Sequence, residues 1–149
     1  MTLAGAIRPG HDGAMTDDWT LRPIGRVRSP LTSLETAPKQ GAEGAPTAWI
    51  DYAPELAAGF ADLAVGDELV VLTWLHRARR DVLVVHPRDD PRNPETGVFS
   101  TRSADRPNPV GLHPVTVLAL DRCGLQVGPL EAVDGTPVLD LKPLLGQGS

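Results

Sequence analysis

The apolar residues of this chain fall into short runs separated by turn-forming residues. Glu68 to Leu75, ELVVLTWL, is nearly continuous and predicts a strand buried on both faces. Val115 to Leu120, VTVLAL, is β-branched and apolar. Asp121 to Gly124 then turns the chain back into Leu125 to Val127, which predicts a hairpin. Leu21 to Ser29 reads as a first strand with Ile24 and Val27 inward; Gly25 breaks the alternation and suggests a bulge. Thr47 to Tyr52 reads as a second strand. Asp81 to Val85, Val98 to Thr101, Leu130 to Val133 and Val138 to Leu141 are further short strands, the last two flanking a turn at Asp134 to Pro137. Pro54 to Leu63 is the one helix candidate, with Leu56, Phe60 and Leu63 on one face. Trp49, Phe60, Trp74 and Phe99 are expected in the core.

This pattern predicts a mainly all-β fold: a compact small β-barrel with one short helix and long polar loops. Composition agrees, since the 149 residues include 15 Gly and 15 Pro, which disfavour helix interiors. Residues 1–18 read as a disordered leader and 19–146 as one domain. Met15 is an alternative start to Met1. No signal peptide is legible, no apolar run approaches the roughly 20 residues of a membrane span, and Cys123 stands alone. A cytoplasmic protein with no membrane partner fits these features.

Formal net charge is −5, against a protein that grips nucleic acid by phosphate contacts alone. The charge is uneven, however. Arg77, Arg79, Arg80, Arg88, Arg92, Arg102 and Arg106 supply seven of the fourteen Lys and Arg residues. They suit either a solvated mixed-charge surface or a local patch for an anionic partner. His11, His76, His86 and His113 lack metal-ligand spacing, so no metal is expected. A phosphate-binding loop and a GxGxxG turn are also missing.

The polar loops carry the chemistry that remains. They are Pro38-Lys39-Gln40, His76-Arg77, the run GVFSTRSADRPNPVGLHPV from Gly97 to Val115, and Asp134-Gly135-Thr136-Pro137. Loops at strand ends of a small barrel converge on one rim. Pro107, Pro109 and Pro114 would hold Arg102, Arg106 and Asn108 rigidly. Each residue also has a plainer reading. His76 suits a packed histidine, Arg102 and Arg106 suit braces on backbone carbonyls, and Asn108 suits a turn cap.

GVFSTRSADRPNPVGL together with LEAVDGTPVLDLKPLL, IGRVRSP and PKQG resembles the TsaA/TrmO family, from about Trp19 to Leu145. The resemblance implies a β-barrel homodimer that binds S-adenosylmethionine without a Rossmann fold. It also implies N6-methylation of threonylcarbamoyladenosine beside the tRNA anticodon. Carried over by motif, the cofactor contacts are Pro38, Lys39, Gln40, His76, Arg77, Arg102, Leu112, Asp134, Gly135, Thr136 and Pro137. On that reading Arg102 faces a carboxylate, Leu112 packs on adenine, and Asp134 with the turn amides holds polar groups. Arg79, Arg80, Arg106 and Asn108 become candidates for tRNA contact. His76 is a general-base candidate by residue type only, and the reaction is compatible with having no dedicated base. This chain has Lys39 where the family often has Arg, and Arg77 where bacterial enzymes carry Gln. The longer tRNA methyltransferases continue past the point matching Leu145, so the resemblance speaks to the cofactor more than to the RNA. A small-molecule methyltransferase and a non-catalytic regulatory module that binds S-adenosylmethionine are the alternatives on the same barrel.

Overall fold

The computed structural model describes residues 19–33 and 44–145. Eight strands and one helical turn follow in order: β1 (Gly25–Arg28), β2 (Ala48–Tyr52), α1 (Ala57–Phe60), β3 (Glu68–Trp74), β4 (Val84–Val85), β5 (Thr96–Gly97), β6 (Val110–Asp121), β7 (Gly124–Gly128) and β8 (Pro137–Pro143). Six of them close a barrel in the order β1-β2-β7-β6-β3-β8, every neighbour antiparallel. β4 and β5 form a separate two-stranded sheet inside the long β3–β6 connection.

Strand periodicity of two sets the core. Val27, Ile50, Leu69, Val71, Val115, Val117, Leu125, Val127 and Val138 point into the barrel and are buried, joined by Leu130 from the segment before β8. Fully burying each such side chain contributes about 1.5–3 kcal/mol. β3 alternates buried with half-buried residues, so the expectation of burial on both faces gives way to an ordinary one-sided strand. Gly25 sits in regular register with Tyr52 and Val138 and marks no bulge.

Three other expectations change. The helix shrinks to a 3₁₀ turn at Pro54–Leu56 and four residues of α1, with no side-chain cap at either start. Val98–Ser100 is a 3₁₀ turn, because Val98 O accepts from Thr101 N (3.0 Å), Thr101 Oγ1 (2.9 Å) and Arg106 Nη2 (2.6 Å) instead of a ladder partner. Leu130–Val133 forms no strand, whereas β6 begins at Val110, five residues before the predicted start. Pro114 lies within β6, where β3 is its partner strand and β7 pairing has not begun, so its missing N–H costs no ladder bond. It therefore belongs to the barrel wall and not to the loop before it.

A buried polar network crosses the wall. His113 Nε2 lies 2.7 Å from Thr73 Oγ1, and its Nδ1 meets the Glu131 carboxylate. Both ring nitrogens are thereby satisfied, which a buried imidazole requires. Gly111 makes room for this. A Cβ there would come within 2.5 Å of His113 Nε2 and collide with the Thr73 hydroxyl as well. Gly111→Ala is expected to lose about 1–3 kcal/mol of stability through overpacking. Urea unfolding checks this, and an unchanged midpoint would count against the network's place in the core.

Candidate functional site

Antiparallel pairing places the C-terminal ends of β1 and β3 at the same end of the barrel as the N-terminal ends of β6 and β8. The segments at this rim are bonded to one another. Asp134 N donates to Leu31 O (2.6 Å), Gly135 N to Val27 O (2.7 Å) and Ser29 N to Asp134 Oδ1 (3.0 Å). Arg26 Nη1 reaches Gly135 O at 3.3 Å, and Arg77 Nη1 reaches Thr32 O at 2.9 Å. Gly135 adopts φ 84°, a left-handed conformation that suits glycine. The rim thus joins His76-Arg77, the 134–137 turn and the stretch leading toward the first long loop. Pro38, Lys39 and Gln40 lie outside the described residues.

The turn does not work as expected from its sequence. The amides of Asp134, Gly135 and Thr136 all donate to protein carbonyls, and Thr136 Oγ1 donates to Val133 O. Those donors are spent on shaping the rim, so they are not free to hold a ligand. Thr136 and Pro137 are buried. Asp134 is exposed, and its second carboxylate oxygen takes no hydrogen bond from a described residue.

The arginines divide in the same way. Arg106 donates to Ser103 O, Val98 O and Thr101 O. Arg80 donates to Pro107 O and Asn108 Oδ1 and lies 5.0 Å from the Trp74 ring centre, so Asn108 is held by Arg80. Arg79 pairs with Asp81 on the surface, a bond that water and salt weaken. Arg102, by contrast, is exposed. Among the described residues from His76 to Pro109, it is the one arginine side chain with no hydrogen bond, ion pair or ring contact. It sits on the connection that enters β6 at this rim. Leu112, 45% exposed, points outward from β6 opposite Leu72.

An open groove lies beside β4, lined by Arg79, Asp81, Leu83, Val85, His86 and Asp105. None of the described residues assigned to the cofactor by motif lines it.

Comparison with known proteins bears on these positions. Residues 26–147 match the model of the tRNA-methyltransferase O N-terminal domain. The chain belongs to the TrmO N-terminal domain family. Relatives within reach of this family domain are named for a ligand. A probable S-adenosyl-L-methionine-binding protein of Archaeoglobus fulgidus is 46% identical over 83% of this chain, which spans 33% of that relative. One of the same description from Methanothermobacter thermautotrophicus is 44% identical over 83% of this chain and 88% of its own length. The crystal structure of TrmO from Pseudomonas aeruginosa superposes with a TM-score of 0.69 at 25% identity, over 89% of this chain and 57% of that one. The TrmO-like motifs within the described residues therefore sit on the fold they belong to, and the expected β-barrel is the observed one.

Two site features escaped the sequence reading. Arg26 lies on β1 within the IGRVRSP stretch, was given no role there, and becomes part of the rim through Gly135 O. The His113–Glu131 pair backs Leu112 from inside the wall and fixes the segment three residues ahead of Asp134. Only pairing across the barrel brings these groups together.

Burial disfavours the charged form of His76, and the neighbouring Arg77 and Arg26 cations add to the effect, so its pKa falls below the ordinary 6.5. The ring is neutral at pH 7 and keeps a lone pair. NMR titration of the histidine ring protons is expected to place its midpoint below 6.5, with an upward move in Arg77→Ala. A midpoint above 6.5 would contradict this.

Proposed function

We propose that the chain is an S-adenosylmethionine-dependent methyltransferase that N6-methylates threonylcarbamoyladenosine at tRNA position 37. The observation that carries the reading is the unspent Arg102 guanidinium on the connection that enters β6, where the neighbouring arginines are committed. The names of the relatives support the cofactor, and the family model supports the reaction class.

The residues present fit the cofactor. Arg102 offers a free cation for its carboxylate, Leu112 an exposed apolar face for adenine, and Asp134 an uncommitted oxygen for an amino or hydroxyl group. When bound, S-adenosylmethionine supplies a methyl group activated by its sulfonium. The protein's own task is positioning: the acceptor nitrogen must lie in line with the carbon–sulfur bond that breaks. The rim bonds of Asp134, Gly135 and Arg77 hold those groups still. The proton leaving the acceptor nitrogen goes to water or to neutral His76. Arg79, next to the open groove, is the acceptor-side cation on this reading.

The homodimer belongs to the proposal. Val110, Leu118 and Leu120 are exposed apolar residues of β6, a surface suited to a second copy.

The test is transfer of labelled methyl from S-adenosylmethionine to tRNA bearing threonylcarbamoyladenosine, read on the digested nucleoside by mass spectrometry. Label on that nucleoside is expected. Cofactor binding without label would favour a small-molecule acceptor or a regulatory module. Arg102→Ala should weaken calorimetric binding of S-adenosylmethionine by about tenfold to a hundredfold, the loss of one charge-assisted contact. Unchanged affinity would remove Arg102 from the site.

A further inference from the structure

Phe99 stands 76% exposed, although aromatic residues of this size are ordinarily packed. A single exposed apolar residue needs no explanation by itself. What sets Phe99 apart is the rigidity of its support. Val98, its neighbour, is fully buried, and Val98 N donates to Leu83 O at 2.9 Å. Val98 O takes the three hydrogen bonds from Thr101 and Arg106 described above, and Arg106 also holds Thr101 O. The turn is therefore pinned on both sides of Phe99, and the ring is held out in water.

A flat apolar face held out into solvent is what an unstacked nucleobase meets in proteins that bind single-stranded RNA. Charge adds a reason. With a formal net charge of −5, phosphate contacts work against the overall charge, so a contact that salt does not screen adds affinity where charge adds least. Stacking is such a contact. We infer that Phe99 is a stacking platform for an unpaired base flanking the acceptor adenosine in the anticodon loop. The inference rests on the tRNA reading and adds to it Phe99, a motif residue that was assigned to neither cofactor nor RNA and was expected in the core.

The experiment uses the full chain and a fluorescein-labelled anticodon stem-loop RNA, with anisotropy read at low and moderate salt. Phe99→Ala should weaken binding about tenfold or more, as loss of one base stack does, and by a similar factor at both salt concentrations. Phe99→Trp should retain binding. Calorimetric affinity for S-adenosylmethionine and the melting temperature should stay as in the wild type. Wild-type affinity in Phe99→Ala overturns the inference and leaves the tRNA reading standing. A wild type that binds no stem-loop overturns both. Loss of the cofactor instead of the RNA, or a shift to monomer on light scattering, reassigns Phe99 to the cofactor pocket or to a second copy and overturns the stacking role.

Discussion

Everything at the rim depends on β8 pairing with two strands at once. It bonds to β1 through Val138 and Pro137 and to β3 along Val138 to Pro143. Closure by β8 removes the open edge that a five-stranded sheet would keep. It also carries the 134–137 turn to the place where β1 ends and the first long loop begins. Gly135 N on Val27 O and Asp134 N on Leu31 O are the local bonds that complete this junction. Residues separated by more than a hundred positions, such as Arg26 and Gly135, become neighbours only because the barrel closes.

The local hydrogen bonds then decide which groups remain for a ligand. Backbone donors at the turn and most guanidinia of the arginine-rich stretch are used to build loops that would otherwise leave carbonyls unpaired. Arg106 shows this well: its three carbonyl acceptors include Val98 O, the atom that fixes the turn below Phe99. Arg102 and the second oxygen of Asp134 are left over. The two groups carry opposite charge, Arg102 on the connection that enters β6 and Asp134 on the turn that precedes β8.

Much of the barrel was legible because the apolar and β-branched runs of β2, β3 and β7 mark them as strands, and because Asp121 to Gly124 is an ordinary hairpin turn. The misreadings have physical causes. Val98 to Thr101 has strand composition, yet Thr101 and Arg106 capture the Val98 carbonyl. Pro109 and Pro114 look like breakers, yet β6 passes through Pro114 where that stretch is paired with β3 alone. Phe99 was expected in the core on residue type, and the tightness of its turn turns it outward. Trp49 and Trp74 are only half-buried, each with an arginine over its ring. The motif residues of the site were legible through the family resemblance. The contacts of Arg26, Thr73, His113 and Glu131 were not, since they depend on register across the barrel.

The most direct test of the central claim, that the rim closed by β8 is the cofactor site, is a crystal structure of the protein with S-adenosylmethionine. The account predicts the cofactor at the rim, its carboxylate on Arg102, its adenine on Leu112 and a polar group on Asp134. Cofactor seated instead in the open groove beside β4, against Leu83 and His86, would contradict it.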